Sequence, residues 1–185
     1  IGAQLNVQKT SIPEGLYFGV VQSWKFGQGA ETEKLGISFF KFPSGKFLND
    51  DQSEQLINDV ILEGRQWANA EDEIDFETIA KEGEYKLSDK LLSNFANERN
   101  IRKEEIEDRV SIQLATLDAK AENDIMNLEY RVANSSERMR AANQGRLTKL
   151  HQRIDLRRAT IKKQLDETSE SQDICTVIVK VGQYV

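Results

Sequence analysis

Apolar residues recur with a period of eleven along the second half of the chain, in steps of four, four and three. An 11-residue repeat places about 3.67 residues on each turn, so such a row stays on one side of a long helix. Three polar residues interrupt the row: Ser136, Asn143 and Arg158. We call the row the seam. Its apolar members are Ile106, Val110, Leu114, Leu117, Ala121, Ile125, Leu128, Val132, Met139, Leu147, Leu150, Ile154, Ile161 and Leu165.

The seam is too long for one straight helix that ends near the rest of the protein. A helix over residues 101–165 would extend about 100 Å at 1.5 Å per residue, which predicts a reversal. Asn134 to Ser136 is the favoured place, because three weak helix formers are adjacent there. Asn143 to Gly145 is the second candidate. A third possibility is one unbroken helix whose final strand completes the sheet of a second copy.

The two ends of the chain have the alternation and apolar content of strands. Leu16 to Phe26, Lys34 to Phe42 and Lys46 to Leu48 predict a three-stranded meander. Ile174 to Val181 alternates strictly, with Cys175, Val177, Val179 and Val181 on one face. We expect this last strand to join the same antiparallel sheet.

The segment between the meander and the seam has helical spacing. It predicts a helix with Asp51 as its N-cap, which covers one face of the sheet. Residues Glu71 to Lys90 predict a short helix and a connector, interrupted by Gly83. Ser88 and Asn100 are expected to cap two further helices.

These patterns together predict an α+β fold in two domains. Residues 1–100 and 169–185 are expected to form a small antiparallel sheet with a covering helix. Residues 101–168 are expected to form a long, projecting, antiparallel helical hairpin that resembles a coiled coil.

The charge distribution points to a partner. The formal net charge is −6, but residues 137–167 carry nine Lys and Arg against four acids, which gives this segment +5 and the remainder −11. A local basic surface can bind an anionic partner even on an acidic protein. We therefore expect the second helix of the hairpin to carry any such surface.

The candidate binding residues form one row along that helix, each one position before a seam position. They are Arg138, Arg146, Lys149, Arg153 and Arg157. Such a row is suited to the phosphate backbone of DNA or RNA. The alternative is that it pairs within the hairpin with acids of the first helix, namely Asp118, Glu122 and Glu129.

Catalytic chemistry is not indicated. His151 is the only histidine and Cys175 the only cysteine, so a histidine-based metal site, a catalytic triad and an internal disulfide have no residues to form them. The acids from Glu71 to Glu77 favour a solvated connector, and Gly27-Gln28-Gly29 favours a hairpin turn. We predict no metal, no cofactor and no enzymatic activity.

Other features concern location and alternative surfaces. Aromatic residues concentrate on two strands (Trp24, Phe26, Phe39, Phe40 and Phe42), where a core is favoured over a base-stacking platform. No apolar run is long enough to span a membrane, and a single cysteine is typical of a reducing cytoplasm. Because the chain begins at Ile1, we expect a fragment of a larger protein.

One family resemblance bears on function. The β meander that begins Pro13-Glu14-Gly15-Leu16-Tyr17, the covering helix, the Arg-rich helical pair and the closing strand resemble the C-terminal region of bacterial SNF2-related, RapA-like helicases. The Arg-rich part reads Arg146, Lys149, Arg153-Ile154 and Arg157-Arg158. The ATP-binding motifs of that family are not present in this sequence, so its activity is not carried over.

The resemblance implies an accessory module that helps a motor engage nucleic acid, RNA polymerase or other domains of the parent protein. Two functions therefore remain open. One is this accessory role, and the other is a structural scaffold or a homodimer formed through the arm, without nucleic-acid contact.

Overall fold

The computed structural model describes residues 2–27, 32–68, 70 and 75–182. The chain has an α+β fold, as predicted, and it divides into two compact units. Residues Ile1–Arg99 with Ser169–Val185 form the first, which we call the body. Residues Asn100–Thr168 form the second, which we call the arm.

A mixed six-stranded sheet forms the centre of the body. Its order is β4-β3-β2-β6-β1-β5, and the predicted meander and closing strand do share this sheet. The prediction of a purely antiparallel sheet is wrong, because β1 pairs in parallel with β6, for example Ala3 with Val177. The strands are β1 (Gly2–Val7), β2 (Gly15–Phe26), β3 (Thr32–Phe42), β4 (Lys46–Phe47), β5 (Arg65–Gln66) and β6 (Ser169–Val181).

Helix α1 (Asp50–Glu63) covers one face of the sheet, as predicted. Leu56 and Val60 pack among Val177, Val179 and other buried residues of that face. The predicted N-cap is wrong by two residues. Asn49 is the cap, and it exchanges hydrogen bonds with Gln52: its Oδ1 accepts from the Gln52 amide at 2.8 Å, and Gln52 Oε1 accepts from the Asn49 amide at 3.2 Å.

The opposite face is covered by the first part of helix α2 (Phe76–Ala133). Ile79, Leu87, Leu91 and Phe95 pack against aromatic residues of the sheet. The two rings of Trp24 and Phe95 have centroids 5.7 Å apart. The buried aromatics therefore form a core, and the base-stacking alternative is wrong.

The expected interruptions of α2 do not occur. Gly83, Ser88 and Asn100 all lie inside the helix. Gly83 is buried, and a Cβ built on it would lie 2.4 Å from Cδ1 of Phe18. Because Gly83 has no side chain, the helix can approach the sheet closely at this position. The residue therefore serves packing and does not break the helix.

The arm is an antiparallel helical hairpin that reverses where the sequence favoured it. Helix α2 ends at Ala133 and helix α3 spans Glu137–Lys162, followed by a 3₁₀ turn over Lys163–Leu165. Side chains of the reversal close the end of α2: Asn134 Nδ2 donates to the Tyr130 carbonyl at 2.9 Å, and Ser135 Oγ donates to the Arg131 carbonyl. The alternatives of a reversal at 143–145 and of an unbroken helix are therefore wrong.

Candidate anion-binding face of the arm

The seam forms the contact between α2 and α3. Val110, Ala121, Ile154 and Ile161 are buried, and most other apolar seam residues are half-buried. Met139 and Leu165 are exceptions, with exposures of 51% and 47%. The eleven-residue pattern therefore predicted the contact side of both helices correctly, apart from these two positions.

Two of the three polar interruptions of the seam form hydrogen bonds within the arm, Asn143 to the reversal and Arg158 to α2. Asn143 is only 4% exposed, and its Nδ2 donates to Ser135 Oγ at 2.7 Å. Arg158 donates from Nε and Nη2 to one carboxylate oxygen of Asp118, at 3.0 and 2.7 Å. The Asn143 side chain is buried, and a buried polar residue in a helical seam specifies the register, because a shifted register would leave it unpaired. The Arg158–Asp118 pair is exposed.

The five candidate cations occupy the predicted row and are all exposed. None of them forms an ion pair with the residues that the structure describes. Arg146 makes one long hydrogen bond, from Nη1 to Asn143 Oδ1 at 3.5 Å. Four positive side chains, Arg138, Lys149, Arg153 and Arg157, have no hydrogen-bond partner among the described residues.

The alternative pairing with Asp118, Glu122 and Glu129 is not observed among the described residues, and helix geometry gives the reason. In an antiparallel pair, residues one position before the seam lie on the same side of both helices, whereas residues one position after it lie on the other side. The cations precede seam positions and the three acids follow them. Asp118 pairs with Arg158, a seam residue, and not with the row.

One cation of α2 joins the row across the hairpin. Lys120, which precedes the seam residue Ala121, lines the same groove as Arg153 and Arg157. Asp124 is the acidic residue in that groove lining. We call the five cations together with Lys120 the basic face. Sequence reasoning missed Lys120, although its position relative to the seam would have identified it.

The other candidate residues lie outside any assembled site. His151 is exposed on α3, and Cys175 is half-buried on β6. Glu71, Asp72, Glu73, Gln28 and Gly29 lie outside the described residues. Over the described ranges, no group of three or more His, Cys, Asp or Glu side chains is arranged to bind a metal. None of the helices described is long and apolar enough to cross a membrane.

Asp75 has a structural role at the start of α2. Its carboxylate accepts from the Thr78 hydroxyl at 2.7 Å and from the Thr78 amide at 3.2 Å. Both hydrogen bonds lower the pKa of the Asp75 carboxyl, and the bond from the hydroxyl has the larger effect. The side chain therefore caps the helix in its charged form.

No protein-family profile matches the chain, and no curated protein matches it. The resemblance to RapA-like helicases stays a prediction.

Proposed function

We propose that this chain is a non-catalytic interaction module whose arm binds an anionic partner through its basic face. The proposal rests on the row of exposed cations, which form no ion pair with any of the described residues. Surface cations are often paired with neighbouring acids, and a row of unpaired ones attracts counterions that a polyanion displaces on binding.

The placement of acids supports a one-sided contact. Asp118, Glu122 and Glu129 lie on the side of the hairpin opposite the basic face, and Asp118 is already paired with Arg158. Because the rest of the chain is strongly acidic, a polyanion is repelled by the other surfaces. Binding is therefore confined to the basic face.

The phosphate backbone of nucleic acid is the partner that the helicase resemblance implies. In that role the chain is an accessory region of a cytoplasmic ATP-dependent translocase, and an acidic surface of RNA polymerase or of the parent protein is an equivalent target. The competing function is a scaffold or homodimer formed through the arm, which the half-buried seam residues favour.

The test measures binding to fluorescent duplex DNA and to heparin at low salt. The test variant combines Lys149→Glu, Arg153→Glu and Arg157→Glu, and it spares Arg146 because that residue contacts Asn143. The control combines Arg140→Glu, Lys162→Glu and Lys163→Glu, which changes the net charge equally on exposed positions of the same segment.

We expect the test variant to lose at least tenfold in affinity for both polyanions and the control to lose less than threefold. Both variants should retain their helix content, because every changed side chain is exposed. Nucleic acid is excluded as the partner if the unaltered chain binds neither polyanion, and the basic face is excluded as the contact surface if both variants lose affinity equally. A dimer in place of polyanion binding would establish the scaffold function.

A further inference from the structure

A groove of about 900 Å³ runs along the basic face of the arm, between α2 and α3. It extends from Ile112 to Asp124 on α2 and from Leu150 on α3 to Gln164 in the 3₁₀ turn that follows it. Stretches of this length rise about 20 Å in a helix, or about four turns. The groove lies entirely within the arm.

The floor of this groove is apolar. It contains the seam residues Leu117, Leu150 and Ile154, of which Leu117 and Leu150 are only half-buried by the hairpin. Ile112 stands at its border with 68% of its surface exposed. Two helices alone leave this side of the seam open to water, at a cost proportional to the apolar area exposed.

The rim of the groove is positively charged. Lys120 contributes from α2, and Arg153 and Arg157 contribute from α3, against the single carboxylate of Asp124 in the lining. A ligand that fits both features has an apolar stripe with acidic residues beside it. A phosphate backbone matches the rim but has no apolar surface for the floor.

We propose that this groove binds an amphipathic helix of a partner protein, with its apolar stripe on the floor and its acidic flank beside Arg153, Arg157 and Lys120. The bound helix completes a three-helix bundle. This inference rests on the proposed function, because it requires the basic face to be a contact surface, and it adds the class of the partner.

The probe is a synthetic amphipathic helix of about 20 residues with Leu at the i, i+3, i+4 and i+7 positions and Glu at the flanking positions. A second peptide has the same Leu stripe and Lys in place of Glu. Heparin and a duplex oligonucleotide serve as polyanions without an apolar surface. All four are titrated into the full chain by fluorescence anisotropy.

Two matched variants separate the groove from the charges. Thr160→Trp places a bulky side chain in the groove without changing any charge, since Thr160 lines it. Thr148→Trp is the control. Both threonines are exposed on α3, and both hydroxyls donate to the carbonyl four residues earlier, but Thr148 follows the seam and does not line the groove.

We expect the Glu peptide to bind with micromolar affinity and the Lys peptide at least tenfold more weakly. Thr160→Trp should lower the affinity for the Glu peptide at least tenfold, whereas Thr148→Trp should change that affinity less than twofold. Neither variant should change heparin affinity more than twofold.

Three results would overturn the inference. The first is no binding of the Glu peptide while heparin binds, which leaves the proposed function intact. The second is an equal loss of oligonucleotide affinity in Thr160→Trp, which would make nucleic acid the occupant. The third is a dimer of the chain that Thr160→Trp dissociates, which would make a second copy the occupant. If no probe binds at all, the proposed function fails as well.

Discussion

Gly83 of α2 lies directly against the ring of Phe18 on β2. A methyl group at Gly83 would lie 2.4 Å from Cδ1 of that ring and 2.7 Å from Cε1. Phe18 is itself buried and packs against Phe40, with ring centroids 6.1 Å apart. The ring therefore has little room to move away, and the glycine sets the distance between the helix and the sheet.

We predict that Gly83→Ala destabilises the protein, although alanine is the better helix former. Overpacking of a core costs about 1–3 kcal/mol, which exceeds the gain of about 1 kcal/mol in helix propensity. Gly145→Ala is the control, since nothing lies within 4 Å of a Cβ at that position. It should stabilise the protein by up to about 1 kcal/mol. Urea unfolding followed by circular dichroism measures both, and a stabilised Gly83→Ala variant would contradict the packing described.

The spacing of apolar residues predicted more of this fold than single glycine or capping residues did. The eleven-residue repeat identified the contact side of two helices, because burial in a long hairpin recurs at fixed spacing. Gly83 was interpreted as a helix breaker, but its role depends on Phe18, which lies 65 positions earlier in the sequence. Strand β1 was missed because it pairs in parallel with β6, at the other end of the chain.

The candidate site was predictable in its charges and less so in its shape. The five cations followed from their positions relative to the seam. The groove depends on how deeply the seam residues of two separate helices are buried, and no local pattern contains that information. The same geometry places Asp118 on the side opposite the row, where Arg158 of the seam binds it.

Asn143 should hold the hairpin in register at a cost in stability. We predict that Asn143→Leu raises the thermal midpoint, because it continues the apolar seam, and also allows association into dimers or other registers. Asn143→Ser, which keeps a polar side chain, should leave the oligomeric state of the protein unchanged. Thermal melts and light scattering after gel filtration measure the two effects. A strictly monomeric, better-ordered Asn143→Leu protein would show that register is fixed elsewhere.

The N-terminus of α2 should depend on pH through Asp75. The pKa of this carboxyl is lowered in the folded protein, chiefly by the Thr78 hydroxyl. Its stabilising contribution is therefore present at neutral pH and is lost as the pH falls through the folded-state pKa. Thr78→Val removes the hydroxyl and should raise that pKa toward its ordinary value. The hydrogen bond from the backbone amide of residue 78 remains in this variant. A carbon-detected NMR titration follows the Asp75 carboxyl directly, and an ordinary pKa in the unaltered protein would refute the capping role.

The salt dependence of DNA binding tests the central claim, that the basic face is the contact surface, most directly. Log affinity should fall linearly with log salt, at a slope of about −0.9 for each phosphate contacted, which gives about −3 to −5 for this row. The variant with Lys149→Glu, Arg153→Glu and Arg157→Glu should lose most of that slope. The control with Arg140→Glu, Lys162→Glu and Lys163→Glu should keep it. Equal slopes for these two variants, which carry the same net charge, would contradict the claim.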